Sequence, residues 1–226
     1  MNPGQALLTV FGRLHAFYGP LGWWPAETPF EVCIGAILTQ NTAWTNVEKA
    51  IANLKSADML TPQQLRDCAM EELAELIRPS GFFTIKARRL KSFVDWLYHY
   101  HGGSLGLMFA RDWQELRRDL LQVHGIGPET CDSILLYAGH KPTFVVDAYT
   151  RRLFHRLGLL PAAAGYEITR TLFMAHLPSE VALYNEYHAL IVEQCKVYCR
   201  TRPRCPGCPL LPECPTGNPS LTRQVE

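Results

Sequence analysis

The stretch Leu121-Gln122-Val123-His124-Gly125-Ile126-Gly127-Pro128-Glu129-Thr130 decides how this chain is read. It joins two helical patterns, over about 112–121 and 128–139. Gly125 and Gly127 carry no Cβ, so the backbone of the turn can approach a ligand closely. Ile126 between them is apolar and can anchor the turn in a core. Pro128 suits the first position of a helix, whose free N–H groups then face the turn and favour an anion such as a phosphate. A helix–hairpin–helix of this kind grips a nucleic-acid backbone without reading its sequence. Taken alone, Gly-x-Gly is more often an ordinary turn between helices.

The remaining chain also reads as helix, and no segment alternates like a strand. Thr28-Pro29-Phe30-Glu31 offers a cap, a first-position proline and a capping-box glutamate ahead of the run Val32–Thr39. Thr45 with Glu48, and Thr61 with Gln64, repeat the box. Pro79-Ser80-Gly81 closes a helix over about 70–78, and Gly102-Gly103 ends an amphipathic one over about 84–100. Further helices are expected near 4–18, 148–157, 165–176 and 182–198. About ten short helices make an all-α protein.

Composition narrows the class. The 226 residues can bury a real core in one large or two small domains. A hydrophobic content of 47% with 19% charged residues is that of a soluble globular protein. No apolar run approaches the roughly 20 residues that span a bilayer. The start at Met1-Asn2-Pro3 lacks the pattern of a signal peptide, so a cytoplasmic location and no membrane partner are expected. A net charge of +1 says nothing about nucleic acid, which must be argued from local clusters. After Cys214 the tail reads as polar and loose.

Cys199, Cys205, Cys208 and Cys214 crowd together, with prolines at 203, 206, 209, 212 and 215 extending the chain between and after them. The spacing is too tight for several sound disulfides, and four thiols in a reduced compartment suit one metal centre, either [4Fe–4S] or Zn. Cys33, Cys68, Cys131 and Cys195 read as reduced core thiols, with Cys195 one turn before Cys199 as an alternative ligand. Asp147 ends the apolar run Phe144-Val145-Val146 and precedes a helix. It can cap that helix, and the helix dipole would keep it ionised and able to activate water or stabilise a developing cation. The two roles are compatible, and spacing does not choose between them.

Together these residues resemble the endonuclease III family of helix–hairpin–helix DNA glycosylases. The landmarks run in order from about Phe30 to Cys214. They are Ile37-Leu38-Thr39-Gln40, Gly81-Phe82-Phe83-Thr84-Ile85-Lys86-Ala87, the hairpin, Val145-Val146-Asp147 and the cysteine cluster. The resemblance implies a six-helix barrel domain over 23–139 that holds the hairpin motif at about 121–139. It implies a second domain from 1–22 plus 140–226 with a [4Fe–4S] cluster loop at 199–214, favoured over Zn. The partner would be double-stranded DNA with a damaged base, held across the cleft by a monomer. Asp147 matches the catalytic aspartate, and Gln40 the side chain that fills the gap left by an extruded nucleotide. Gly125, Ile126 and Gly127 match the phosphate-binding turn, and Arg200, Arg202 and Arg204 a basic loop on the DNA backbone.

Two departures bear on activity. The first cysteine gap holds five residues where the family usually has six, which keeps Cys195 in view as a ligand. Members with lyase activity carry lysine two residues after the second hairpin glycine, and here that residue is Glu129. A carboxylate forms no Schiff base. Trp23-Trp24-Pro25 and Thr39-Gln40-Asn41-Thr42-Ala43-Trp44 resemble the 3-methyladenine glycosylase branch, in which Trp24, Pro25 and Trp44 would stack on an alkylated purine. Members of that branch can lack the cluster that this chain keeps. The expected activity is monofunctional base excision. Its rivals are an oxidised-pyrimidine glycosylase with AP lyase activity through another lysine such as Lys141, and a non-catalytic iron–sulfur protein that binds damaged DNA.

Overall fold

The computed structural model describes residues 2–224; Met1 and the tail end Val225-Glu226 lie outside them. The described chain is all-α, with α1 (Pro3–Tyr18), α2 (Pro29–Leu38), α3 (Trp44–Ser56), α4 (Pro62–Asp67), α5 (Met70–Leu76) and α6 (Phe83–His101). There follow α7 (Leu105–Phe109), α8 (Trp113–Leu120), α9 (Pro128–Ser133), α10 (Ala148–Arg156), α11 (Tyr166–His176) and α12 (Val181–Val197). No strand occurs among the described residues, and none of their helices is long and apolar enough to cross a membrane. The chain divides into two compact units, Trp24–Lys141 and Met1–Trp23 with Pro142–Glu226.

In the unit Trp24–Lys141, α2 is the hub. The Thr28 hydroxyl accepts from Glu31 N at 3.1 Å, and Pro29 fills the first position. Every residue from Phe30 to Leu38 is buried, which marks a helix enclosed on all sides. Helices α3, α6 and α9 pack around it. Each large apolar side chain buried there is worth about 1.5–3 kcal/mol. One of the nine, Glu31, carries a carboxylate. Its carboxylate stands 3.0 Å from Lys55 Nζ and accepts from Glu27 N at 3.1 Å, so the Thr28 box is completed only on the threonine side.

The C-terminal end of α2 is held by another buried charge. Lys86 is 1% exposed, and its Nζ donates to Leu38 O at 2.8 Å and Ser80 O at 2.6 Å. Burial, with Arg89 nearby, pushes its pKa down to about 8. The two helices of the hairpin are joined by a bidentate pair. Arg117 Nε and Nη2 donate to Asp132 Oδ1 and Oδ2 at 2.8 and 2.9 Å, and Asp132 is fully buried.

The unit Met1–Trp23 with Pro142–Glu226 is built on aromatic packing. Phe144 stacks on Phe173 with ring centroids 3.9 Å apart, and Phe154 and Tyr187 meet Phe173 edge-on. All four are fully buried. The hydroxyl of Tyr187 donates to Leu7 O at 2.7 Å, which fixes α1 on α12.

Local sequence rules fail in three places. Helix α3 begins at Trp44 after an uncapped Ala43, so Thr45 and Glu48 do not form a box; Glu48 accepts from Trp44 Nε1 instead. The expected helix over 128–139 is α only to Ser133 and continues as a π turn over Ile134–Ala138. The described part of the tail folds into a 3₁₀ turn over Pro219–Gln224, where a loose tail was expected. Removing one partner of a buried ion pair strands the other. Arg117→Met should therefore cost about 3–5 kcal/mol in urea unfolding. A loss of under about 1 kcal/mol would show that the pair does not hold the hairpin.

Candidate functional site

The hairpin turn explains both of its glycines. Gly125 has φ +87°, and a Cβ there would lie 2.1 Å from Arg89 Cγ, so both backbone and space exclude a side chain. Gly127 has ordinary extended dihedrals and is exposed, and a Cβ on it would meet nothing within 4 Å. It leaves an open face on the turn. Ile126 is 4% exposed and donates its N–H to Val123 O at 3.0 Å, so it anchors the turn as its apolarity suggests. Glu129 sits exposed in the first turn of α9.

Gln40 is bound to this turn. Its Nε2 donates to Gly125 O and to Thr130 Oγ1, both at 3.0 Å, and its Oε1 accepts from Arg89 Nη1. In the same unit Phe82 is 63% exposed with φ +47°, a backbone conformation that costs an ordinary residue energy and tends to collect at functional sites. Sequence reading missed Arg89 and weighed Phe82 only as part of a motif.

Asp147 caps α10. Its Oδ1 accepts from Thr150 N at 2.7 Å and from Thr150 Oγ1 at 2.8 Å, completing a capping box. Its Oδ2 faces His188 Nε2 at 3.7 Å. Burial alone would raise this carboxyl, but His188 and Thr150 outweigh it and hold the group below the usual carboxylate range. His188 is 5% exposed on α12, and the Trp23 ring meets its edge with centroids 6.5 Å apart. A lone histidine in a helical run gives no signal in the sequence, so its place beside Asp147 comes from the fold alone.

Trp24, Pro25 and Trp44 come together. They line a cavity of about 210 Å³ with Gly35, Glu48 and Lys55. Trp24 meets Trp44 nearly at right angles, with centroids 5.0 Å apart, and lies against Tyr137 at 5.1 Å. The hydrogen bond from Trp44 Nε1 to Glu48 Oε1, 2.8 Å long, fixes the ring and places a carboxylate at the cavity wall.

Among the described residues, no three His, Cys, Asp or Glu side chains already stand in metal-holding geometry. Two of the four cysteines, Cys199 and Cys208, nevertheless receive donors that suit anionic sulfur. Cys199 Sγ accepts from Arg156 Nη1 at 3.3 Å, and Cys208 Sγ from Gln194 Nε2 at 3.0 Å. The neighbouring Cys195 and Arg156 lower the Cys199 pKa to about 6, while the Cys195 thiol donates to Tyr149 O at 3.6 Å and is held protonated. Burial, with Cys199 and Cys208 near, raises the Cys214 thiol. Arg156 also donates to Arg200 O and Thr201 O, while Arg200, Arg202 and Arg204 are exposed.

Residues 34–179 match the HhH-GPD superfamily base excision DNA repair protein family. MJ1434 of Methanocaldococcus jannaschii, whose name places it provisionally among DNA repair glycosylases, is 44% identical over 214 residues, 94% of this chain and 97% of that protein. The 3-methyladenine DNA glycosylase MagIII of H. pylori, solved with 1,N6-ethenoadenine, superposes with TM-score 0.75 at 28% identity. That match covers 87% of this chain and 98% of MagIII. A non-covalent endonuclease III–DNA complex shares the fold, with TM-score 0.83 at 22% identity over 98% of this chain and 100% of that one.

A carboxyl whose pKa is depressed by folding adds stability that is present above the ordinary carboxylate range and lost as pH falls through the lowered value. Carboxyl ¹³C titration should show Asp147 ionised below that range, and His188→Asn should move its titration upward. An unmoved titration would leave Thr150 and the helix end as the whole cause.

Proposed function

This chain belongs to the HhH-GPD superfamily of base excision DNA repair proteins, and from that premise we propose that it is a monofunctional DNA glycosylase acting on alkylated purines. The observation that carries the activity is Asp147, a mostly buried carboxylate held ionised by His188 and Thr150. A fixed negative charge stabilises the oxocarbenium-like sugar as the N-glycosidic bond breaks, and its second oxygen can orient water. The hairpin turn would hold a phosphate, and Gln40 would fill the gap left by the extruded nucleotide. Exposed Phe82 is an apolar wedge suited to an opened base step.

The cavity of Trp24, Pro25 and Trp44 supports the base class. At about 210 Å³ it falls below the range of drug-sized sites, roughly 300–1,000 Å³, which suits a single base. Tryptophan rings and the Glu48 carboxylate favour a cationic ring such as 3-methyladenine. That same charge weakens the glycosidic bond, so Asp147 needs no strong general acid beside it. Glu129 at the hairpin supplies no amine, so strand cleavage through a Schiff base has no nucleophile there. Cys199, Cys205, Cys208 and Cys214 would hold a [4Fe–4S] cluster, with Cys195 kept protonated beside Cys199. The cluster's contribution would be structural, cross-linking the loop that carries Arg200, Arg202 and Arg204.

Asp147→Asn should abolish base release while leaving affinity for damaged duplex nearly intact, because asparagine still caps a helix. Wild-type single-turnover rates in that variant would reduce Asp147 to a cap. On a panel of single-lesion duplexes, 3-methyladenine should be released and the abasic strand left uncut. Trp44→Ala should slow that release by about one to two orders of magnitude. Borohydride trapping of a covalent adduct, or faster release of thymine glycol, would instead mark an endonuclease III-like lyase. Protein purified without oxygen should be yellow-brown, with about four irons per chain. One zinc and no colour would overturn the cluster.

A further inference from the structure

The side chain proposed to enter DNA is fully engaged elsewhere in this structure. Both donor hydrogens of the Gln40 amide are used, one on Gly125 O and one on Thr130 Oγ1, and its oxygen is taken by Arg89 Nη1. A Gln amide has two donors and one carbonyl oxygen, so in this position little is left for a base. To reach into a duplex, Gln40 must first leave the hairpin.

Arg89 stands where that exchange is decided. Its aliphatic stem packs on Gly125, at the place a Cβ would occupy, so its guanidinium is held beside the turn proposed to hold a phosphate. Its Nε is buried and, among the described residues, has no hydrogen-bond partner. The neighbouring cation on α6, Lys86, is already committed to Leu38 O and Ser80 O. A guanidinium with donors to spare binds an anionic oxygen more strongly than a neutral amide oxygen. An anion docked on the turn therefore competes with Gln40 for Arg89.

We propose that Arg89 is a positioning residue that couples phosphate docking at the hairpin to the deployment of Gln40. It holds Gln40 stowed in the free protein and releases it when a backbone phosphate takes the guanidinium. The proposal rests on the DNA glycosylase reading for the role of Gln40, and on the hairpin geometry for the coupling.

The latch predicts an effect whose sign a merely structural residue would not produce. Gln40→Met, which keeps the size but removes the competing acceptor, should tighten binding of an undamaged duplex by about three- to tenfold, the worth of one hydrogen bond. The gain should vanish in the double variant with Arg89→Met, which keeps the stem on Gly125, and return in part with Arg89→Lys. Binding is read by fluorescence anisotropy at fixed salt, and urea midpoints confirm that each variant is folded. In ¹⁵N-labelled wild type, the Gln40 side-chain NH₂ signals should shift when undamaged duplex is added; in Arg89→Met they should already be shifted without DNA. Unchanged or weaker binding by Gln40→Met, or a gain that survives in Arg89→Met, overturns the latch. A wild type that binds duplex and releases no base from any lesion overturns the glycosylase reading and leaves the coupling standing.

Discussion

A lysine ammonium buried with no acidic partner among the described residues is the constraint around which the unit Trp24–Lys141 is arranged. Taking such a charge from water costs several kcal/mol even after relaxation. Lys86 recovers this from two carbonyl oxygens, one at the end of α2 where the helix dipole is negative and one in the turn at Ser80. Both carbonyls must stay where they are for the charge to remain buried. Two residues beyond each lie Gln40 and Phe82, so their positions follow from one ion. Arg89, a turn further along α6, then ties Gln40 to the hairpin.

Asp147 shows how a structural role and the proposed chemical one can share a single carboxylate. Capping the first turn of α10 uses Oδ1, while Oδ2 faces His188. The cap keeps the carboxylate ionised through N–H donation, which is also what a developing cation requires of it. The sequence question of cap or catalyst therefore has no exclusive answer. The helix end supplies the electrostatics, and the second oxygen, which faces His188, is the one the proposed chemistry would use.

Most of the helices were legible because their ends are written locally. Thr28 and Thr61 cap as their hydroxyls suggest, and Gly102 ends α6 in the left-handed conformation that glycine tolerates. Trp44 defied the same rules because its indole N–H finds Glu48, so the ring sets the start of α3 in place of a cap. The hairpin glycines, Ile126 and the cavity aromatics were readable as types. What distinguishes Gly125 from Gly127 was not, because the difference is the Arg89 stem lying against one of them. His188 was invisible for the same reason: its meaning lies in a neighbour forty-one positions away in sequence, and no local pattern encodes that distance.

The π turn over Ile134–Ala138 carries a consequence of another kind. Such a turn holds one more residue than the α-helix it interrupts. Deleting any one of the five would let the ladder close into regular α geometry, and the residues of the turn would change their angular positions about the helix axis. Tyr137, which lies against Trp24, would leave that ring. The shape of the aromatic cavity is thus set partly by a count of residues, independent of which residues they are. An insertion or deletion at this point is a way to retune the cavity that no point substitution can imitate.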